Sequence, residues 1–187
     1  MELPDRTALV VVDVQQGFDE PYWGPGDNPD WEANIARLVE AWHGAGWPLV
    51  YVRHDSVTPG SPLRPELPGN ALRPILTGEP DLLVRKQVNS AFYGDPPLEP
   101  WLRERGIGAV AICGLTTNHC CDTTARMAAN LGFEVFFALD ATRSFDLAGP
   151  DGETVPAADL TRATAASLHG EFATVCPTGA LVGALGS

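Results

Sequence analysis

The sequence is nearly devoid of lysine: of its 12 basic residues, 11 are arginine and one, Lys86, is lysine. Basic charge of any kind is scarce beside 24 acidic residues, which leaves a net charge of −12. That balance argues against nucleic acid or an anionic membrane as partner, because both demand a concentrated basic surface. Long apolar runs are missing too; no stretch approaches the ~20 apolar residues that a membrane span needs. The opening MELPDRTALVVVDVQQ has an acidic residue at position 2 and a short apolar run closed by Asp13. It reads as a first strand and not as a signal peptide. The four cysteines, at 113, 120, 121 and 176, form no C-x-x-C pair and no Cys/His cluster with zinc spacing. A bridge between the adjacent Cys120 and Cys121 would be strained. The expectation is a soluble, cytoplasmic protein.

What is present is a core. With 44% hydrophobic residues, a chain of 187 residues can bury one without disulfides or metal. Apolar β-branched runs alternate with helical patterns. Strands are expected at Ala8–Val12, Leu49–Arg53, Asp81–Arg85, Ala109–Cys113, Glu134–Leu139 and Ala173–Cys176. Helices are expected at Asp30–Ala45, Leu98–Arg105, His119–Leu131, Val155–His169 and Gly179–Leu185. A Pro- and Gly-rich loop, Asp55–Glu79, shows no periodicity, and a loop that long inside a compact domain is usually functional. The β-α-β order gives an α/β, three-layer α/β/α architecture: a doubly wound, mostly parallel six-stranded sheet with helices on both faces. Ligands bind such sheets beyond the carboxyl ends of the strands.

Three chemically capable residues fall there. Asp13 closes the first strand, Lys86 follows the third, and Cys120 lies just past the fourth. Gly114 allows a sharp turn, and Thr116, Thr117 or Asn118 can cap the helix that follows. Cys120 then occupies a first helical turn, where the helix end favours thiolate and free amides can hold an oxyanion. A small buried thiol is the competing reading of that position. Cys113, Cys121 and Cys176 suit the core. Asp13 beside a thiol can exchange a proton, and Lys86 supplies charge that stabilises thiolate and oxyanion.

Together these pieces resemble the isochorismatase-like cysteine hydrolases, a family that includes nicotinamidases, N-carbamoylsarcosine amidase and other small-amide hydrolases. The resemblance is carried by LVVVDVQQGF at 9–18, RKQVNSAFYG at 85–94 and GLTTNHCCDTTARMAANLGF at 114–133. YVRHDS at 51–56 and SLHGEFATV at 167–175 match more weakly. The pieces span nearly the whole chain, so one isochorismatase-like hydrolase domain over 1–187 is expected. The resemblance implies a catalytic triad of Asp13, Lys86 and Cys120. It also implies a cis peptide between Leu115 and Thr116, which would set the Thr116 amide beside that of Cys120 in an oxyanion hole. The Asp-x-His…His metal site of nicotinamidases is replaced by His54-Asp55-Ser56, with no second histidine in the loop, so no metal and no cofactor are expected. His54 either lines the pocket or bonds the loop, and His119 faces the surface or a subunit contact, though the resemblance also allows it near the pocket. Pocket walls are expected from Gln16, Phe18, Tyr22, Trp23, Asn89, Phe92 and Asn118; Tyr22 and Trp23 can instead anchor the Gly/Pro loop or face a neighbouring subunit.

The reading is therefore a cysteine-dependent hydrolase that cleaves a non-peptide amide or lactam bond of a small molecule through a thioester. The chain looks close to the lactam-opening streptothricin hydrolases. Two alternatives stand beside it: vinyl-ether hydrolysis of the isochorismatase type with Asp13 as acid, and a thiol redox or binding protein using Cys120 and Cys121. The family resemblance also implies a homo-oligomer.

Overall fold

The computed structural model describes residues 1–185. Its centre is a sheet of six parallel strands in the order β3-β2-β1-β4-β5-β8. The strands are β1 (Ala8–Val12), β2 (Leu49–His54), β3 (Leu82–Lys86), β4 (Ala109–Leu115), β5 (Glu134–Arg143) and β8 (Thr174–Cys176). Strand β1 is buried at every position, as its unbroken ALVVV run requires in a sheet covered on both faces. Helix α1 (Trp31–Ala45) buries Trp31, Ile35, Leu38, Val39 and Trp42, and α5 (Thr178–Ala184) packs in the same layer. On the opposite face lie α2 (Leu98–Glu104) and α3 (Asp122–Asn130), with α4 (Ala157–Leu168) beside α3. Two apolar layers result, one on each face of the sheet.

Several elements differ from the sequence expectation. Strands β2, β3 and β4 run on to His54, Lys86 and Leu115, so the candidate residues sit inside or directly at the strand ends. Strand β5 continues to Arg143, past a register shift between Ile112 and Gly114 in its pairing with β4. A small antiparallel ribbon, β6 (Leu147–Ala148) with β7 (Thr154–Val155), was not anticipated. The segment expected to begin a helix at His119 is instead a π-helical turn, Thr117–Cys121, leading into α3. Its cause is the Thr116 carbonyl, which accepts the amides of His119 (3.3 Å) and Cys121 (3.2 Å), the second five residues on. No described helix is long and apolar enough to cross a membrane.

Candidate active site

Four side chains reach one point because four parallel strands end together. Past β1 the chain turns at Asp13, whose φ of 51° lies in the left-handed region that Asp, Asn and His tolerate best. Its amide donates to the Val52 carbonyl (2.9 Å), and its carbonyl accepts the Gln15 amide (2.8 Å). His54 and Lys86 are the last residues of β2 and β3 and sit opposite each other in the parallel register. Between β1 and β4, Gly114 is paired with Val12 at a φ of 122°, and a Cβ there would come within 2.0 Å of the Val12 carbonyl oxygen. Glycine is thus demanded by close backbone approach within β4, not by the turn expected after it. The Leu115–Thr116 peptide is cis, as the family resemblance implied. The π-helical turn then delivers Cys120 against Lys86.

Lys86 is the hub. Its Nζ donates to Asp13 Oδ2 at 2.6 Å, to His54 Nδ1 at 3.1 Å and to Cys120 Sγ at 3.2 Å. The lysine side chain is 0% exposed and that of Asp13 1%, so this pair lies in a low-dielectric setting. An ammonium has three N–H groups, and here each has its own acceptor. Ligand atoms of Asp13, His54 and Cys120 lie within 4.8 Å of one another, a spacing that would suit a shared cation. That cation is Lys86: the cluster is an ammonium cage, and a metal ion would have to displace a buried, ion-paired side chain. Among the described residues Asp13 Oδ1 is buried and has no hydrogen-bond partner, which leaves one carboxylate oxygen open to a proton from the thiol, a substrate or water.

Protonation follows from these contacts. Burial works against the charge of Lys86, but Asp13 and Cys120 outweigh it and hold the ammonium above the usual lysine range. Burial pushes the Cys120 thiol up to about 12, the Asp13 charge adds to the rise, and Lys86 only partly offsets them. Cys120 therefore rests as a thiol, where the helix-end argument had favoured thiolate. Cys113 and Cys121 are fully buried, and their thiols are likewise pushed up, chiefly by burial. Burial also lowers His54, helped by Lys86 and opposed by Asp13 and Asp55.

A cavity of ≈ 760 Å³ opens beside Lys86, lined by Gln87, Val88, Asn89, Ser90, Tyr93 and Met127 among others. Of the expected pocket walls, Asn89 is there, with its Oδ1 3.8 Å from Cys120 Sγ. The others are placed elsewhere. Phe18 and Trp23 pack against each other at a tilt (4.6 Å between centroids), both against Phe145, and the Trp23 indole donates to the Gly17 carbonyl. They anchor the loop after β1. Tyr22 is exposed and stands edge-on to Trp23, lining a separate shallow groove. Gln16 is exposed and donates to the Leu72 carbonyl. Phe92 packs on Phe133, and Asn118 Oδ1 accepts from the Ser144 hydroxyl instead of capping a helix. Thr117 likewise bonds Thr142, and Thr116 Oγ1 lies 3.0 Å from Nδ1 of the exposed His119.

Sequence reasoning missed a clamp around His54. Gln15 accepts the His54 amide at Oε1 (2.9 Å) and donates to the His54 carbonyl from Nε2 (3.0 Å). Asn70, deep in the Pro-rich loop, donates to the same carbonyl (3.1 Å). The adjoining Arg53–Asp55 pair (2.9 Å) completes the surroundings. Only Gln15, two residues after Asp13, carried a positional hint.

Residues 7–168 match the isochorismatase domain family. The chain is 38% identical to the isochorismatase family protein YrdC of Bacillus subtilis, over 96% of each chain. It is 33% identical to a streptothricin hydrolase of Streptomyces noursei, over 88% of this chain and 66% of that protein's length. An isochorismatase-family crystal structure from Chromobacterium violaceum superposes with a TM-score of 0.93 at 37% identity, covering 100% of this chain and 97% of the other.

Proposed function

The chain belongs to the isochorismatase family of hydrolases, and from that premise we propose that it is a cysteine amidohydrolase acting on a small-molecule amide or lactam. One observation carries the reading: a buried ammonium bonded at once to Asp13 and Cys120, with the second Asp13 oxygen unpartnered. In the reaction, Asp13 removes the Cys120 proton as sulfur attacks the carbonyl carbon. The carbonyl electron pair moves to oxygen, and the Thr116 and Cys120 amides hold that oxyanion. On collapse the C–N bond breaks, Asp13 returns the proton to the leaving nitrogen, and a thioester remains. Asp13 then takes a proton from water, which attacks the thioester; the C–S bond breaks, and the proton passes to the departing sulfur. Lys86 stays charged throughout and keeps Asp13 and Cys120 in register.

A half-buried thiol whose pKa is pushed up to about 12 supports concerted removal of its proton over a resting thiolate. Similarity to a streptothricin hydrolase makes a streptothricin-type lactam one candidate substrate. Four free cysteines fit a cytoplasmic setting. Assembly into a homo-oligomer is part of the same reading and is checked by light scattering. The deciding experiment compares wild type, Cys120→Ala and Asp13→Asn on a panel of nicotinamide, N-carbamoylsarcosine and a streptothricin lactam. Turnover lost in both variants supports the mechanism; turnover retained by Cys120→Ala would move the chemistry to acid catalysis by Asp13, as in ether hydrolysis.

A further inference from the structure

Two of the three acceptors around Lys86 belong to the proposed acid–base and nucleophile pair; the third, His54, has no part in that chemistry. We propose that His54 is a positioning residue for the site. Its neutral imidazole, protonated at Nε2, accepts the third Lys86 N–H at Nδ1 and so fixes the ammonium between Asp13 and Cys120.

An ammonium only donates, so at 3.1 Å His54 Nδ1 must present its lone pair, and the ring proton is on Nε2. The histidine is held for that task. Its amide and carbonyl are both bonded by Gln15, its carbonyl is bonded again by Asn70, and strand register sets it opposite Lys86. Removing the third acceptor would leave a buried N–H unpaired, and Lys86 would rotate to satisfy it. The charged groups facing the ring are Lys86 from β3, Asp13 from the end of β1, and Asp55 on its own segment, whose charge is engaged by Arg53. Cys120 approaches the same point from beyond β4. Burial and Lys86 together keep the ring neutral at pH 7. Protonating it would set two cations 3.1 Å apart and abolish the acceptor, so the site should disarm in acid.

The activity arm of the test rests on the amidohydrolase reading; the spectroscopic arm does not. Long-range 1H–15N correlation spectra of histidine-labelled protein, with His54→Asn for assignment, should show a neutral Nε2–H tautomer titrating below 6.5. An Nδ1–H tautomer, or an imidazolium at pH 7, would overturn the proposal. Asparagine can still accept from Lys86, so His54→Asn should keep kcat/KM within about threefold, while His54→Phe should lower kcat about a hundredfold, the effect of a misplaced catalytic group. The acid limb of wild-type kcat/KM should follow the His54 midpoint seen by NMR and vanish in His54→Asn. An unchanged limb in that variant would also overturn the inference. If no amide on the panel is hydrolysed, the proposed function fails while the tautomer and midpoint still decide the role of His54.

Discussion

Replacing Lys86 with methionine removes the ammonium while keeping an unbranched side chain one atom shorter. In the native protein the Lys86 and Asp13 side chains are 0% and 1% exposed and 2.6 Å apart. Without Lys86, the buried Asp13 carboxylate loses its ammonium at Oδ2, and among the described residues Oδ1 has no hydrogen-bond partner to compensate. Breaking one side of a buried ion pair costs about 3–5 kcal/mol, because the remaining charge is uncompensated. Against a typical domain stability of about 5–15 kcal/mol, that is a large share. Asp13→Asn in the Lys86→Met background removes the stranded charge, so the double variant should recover about 2 kcal/mol or more relative to the sum of the single changes. Urea unfolding followed by the fluorescence of the five tryptophans measures all four proteins. The deficit of Lys86→Met should also shrink in acid, as the stranded carboxylate takes up a proton. A loss under about 1 kcal/mol, within the range of exposed ion pairs, or strict additivity of the two changes, would refute the buried-pair account.

Other expectations follow from single contacts. Gly114→Ala places a Cβ 2.0 Å from the Val12 carbonyl at a φ of 122°, and should cost about 3 kcal/mol or more by urea unfolding, beyond ordinary overpacking. Gly183→Ala, with nothing within 4 Å inside α5, is the control and should be neutral or slightly stabilising. Alkylation of Cys120 by iodoacetamide, read by peptide mass spectrometry, should rise steadily with pH from 7 to beyond 10, as a thiol near 12 requires. A plateau by pH 8 would show a preformed thiolate. His54 is held below 6.5 in the folded state, so the unfolded chain binds a proton that the native state resists. Its contribution is present above 6.5 and is lost as pH falls below that value, and the urea midpoint of wild type should decline toward pH 5 more steeply than that of His54→Asn.

Much of this was legible in the sequence. Buried parallel strands are continuous β-branched runs, so ALVVV and AVAIC declared themselves, and the residues at their ends were the ones to inspect. The lone lysine pointed the same way. What could not be read depended on contacts between distant segments. The π-helical turn exists because the Thr116 carbonyl is bonded five residues on, and it sets where Cys120 points. Phe18 and Trp23 look like pocket walls until Phe145, just past the end of β5, closes over them. His54 gains its role only when β2 and β3 pair in register across the long intervening loop. That loop is pinned by Asn70, which nothing in its local composition marks.

The central claim, a thioester on Cys120, is tested most directly by intact-mass spectrometry of acid-quenched reactions of wild type and Cys120→Ala with the amide panel. The account predicts a transient mass increase equal to the acyl fragment, mapped to Cys120 and absent from the variant, with product forming only in wild type. Product formation by Cys120→Ala at the wild-type rate, with no adduct in either protein, would contradict it.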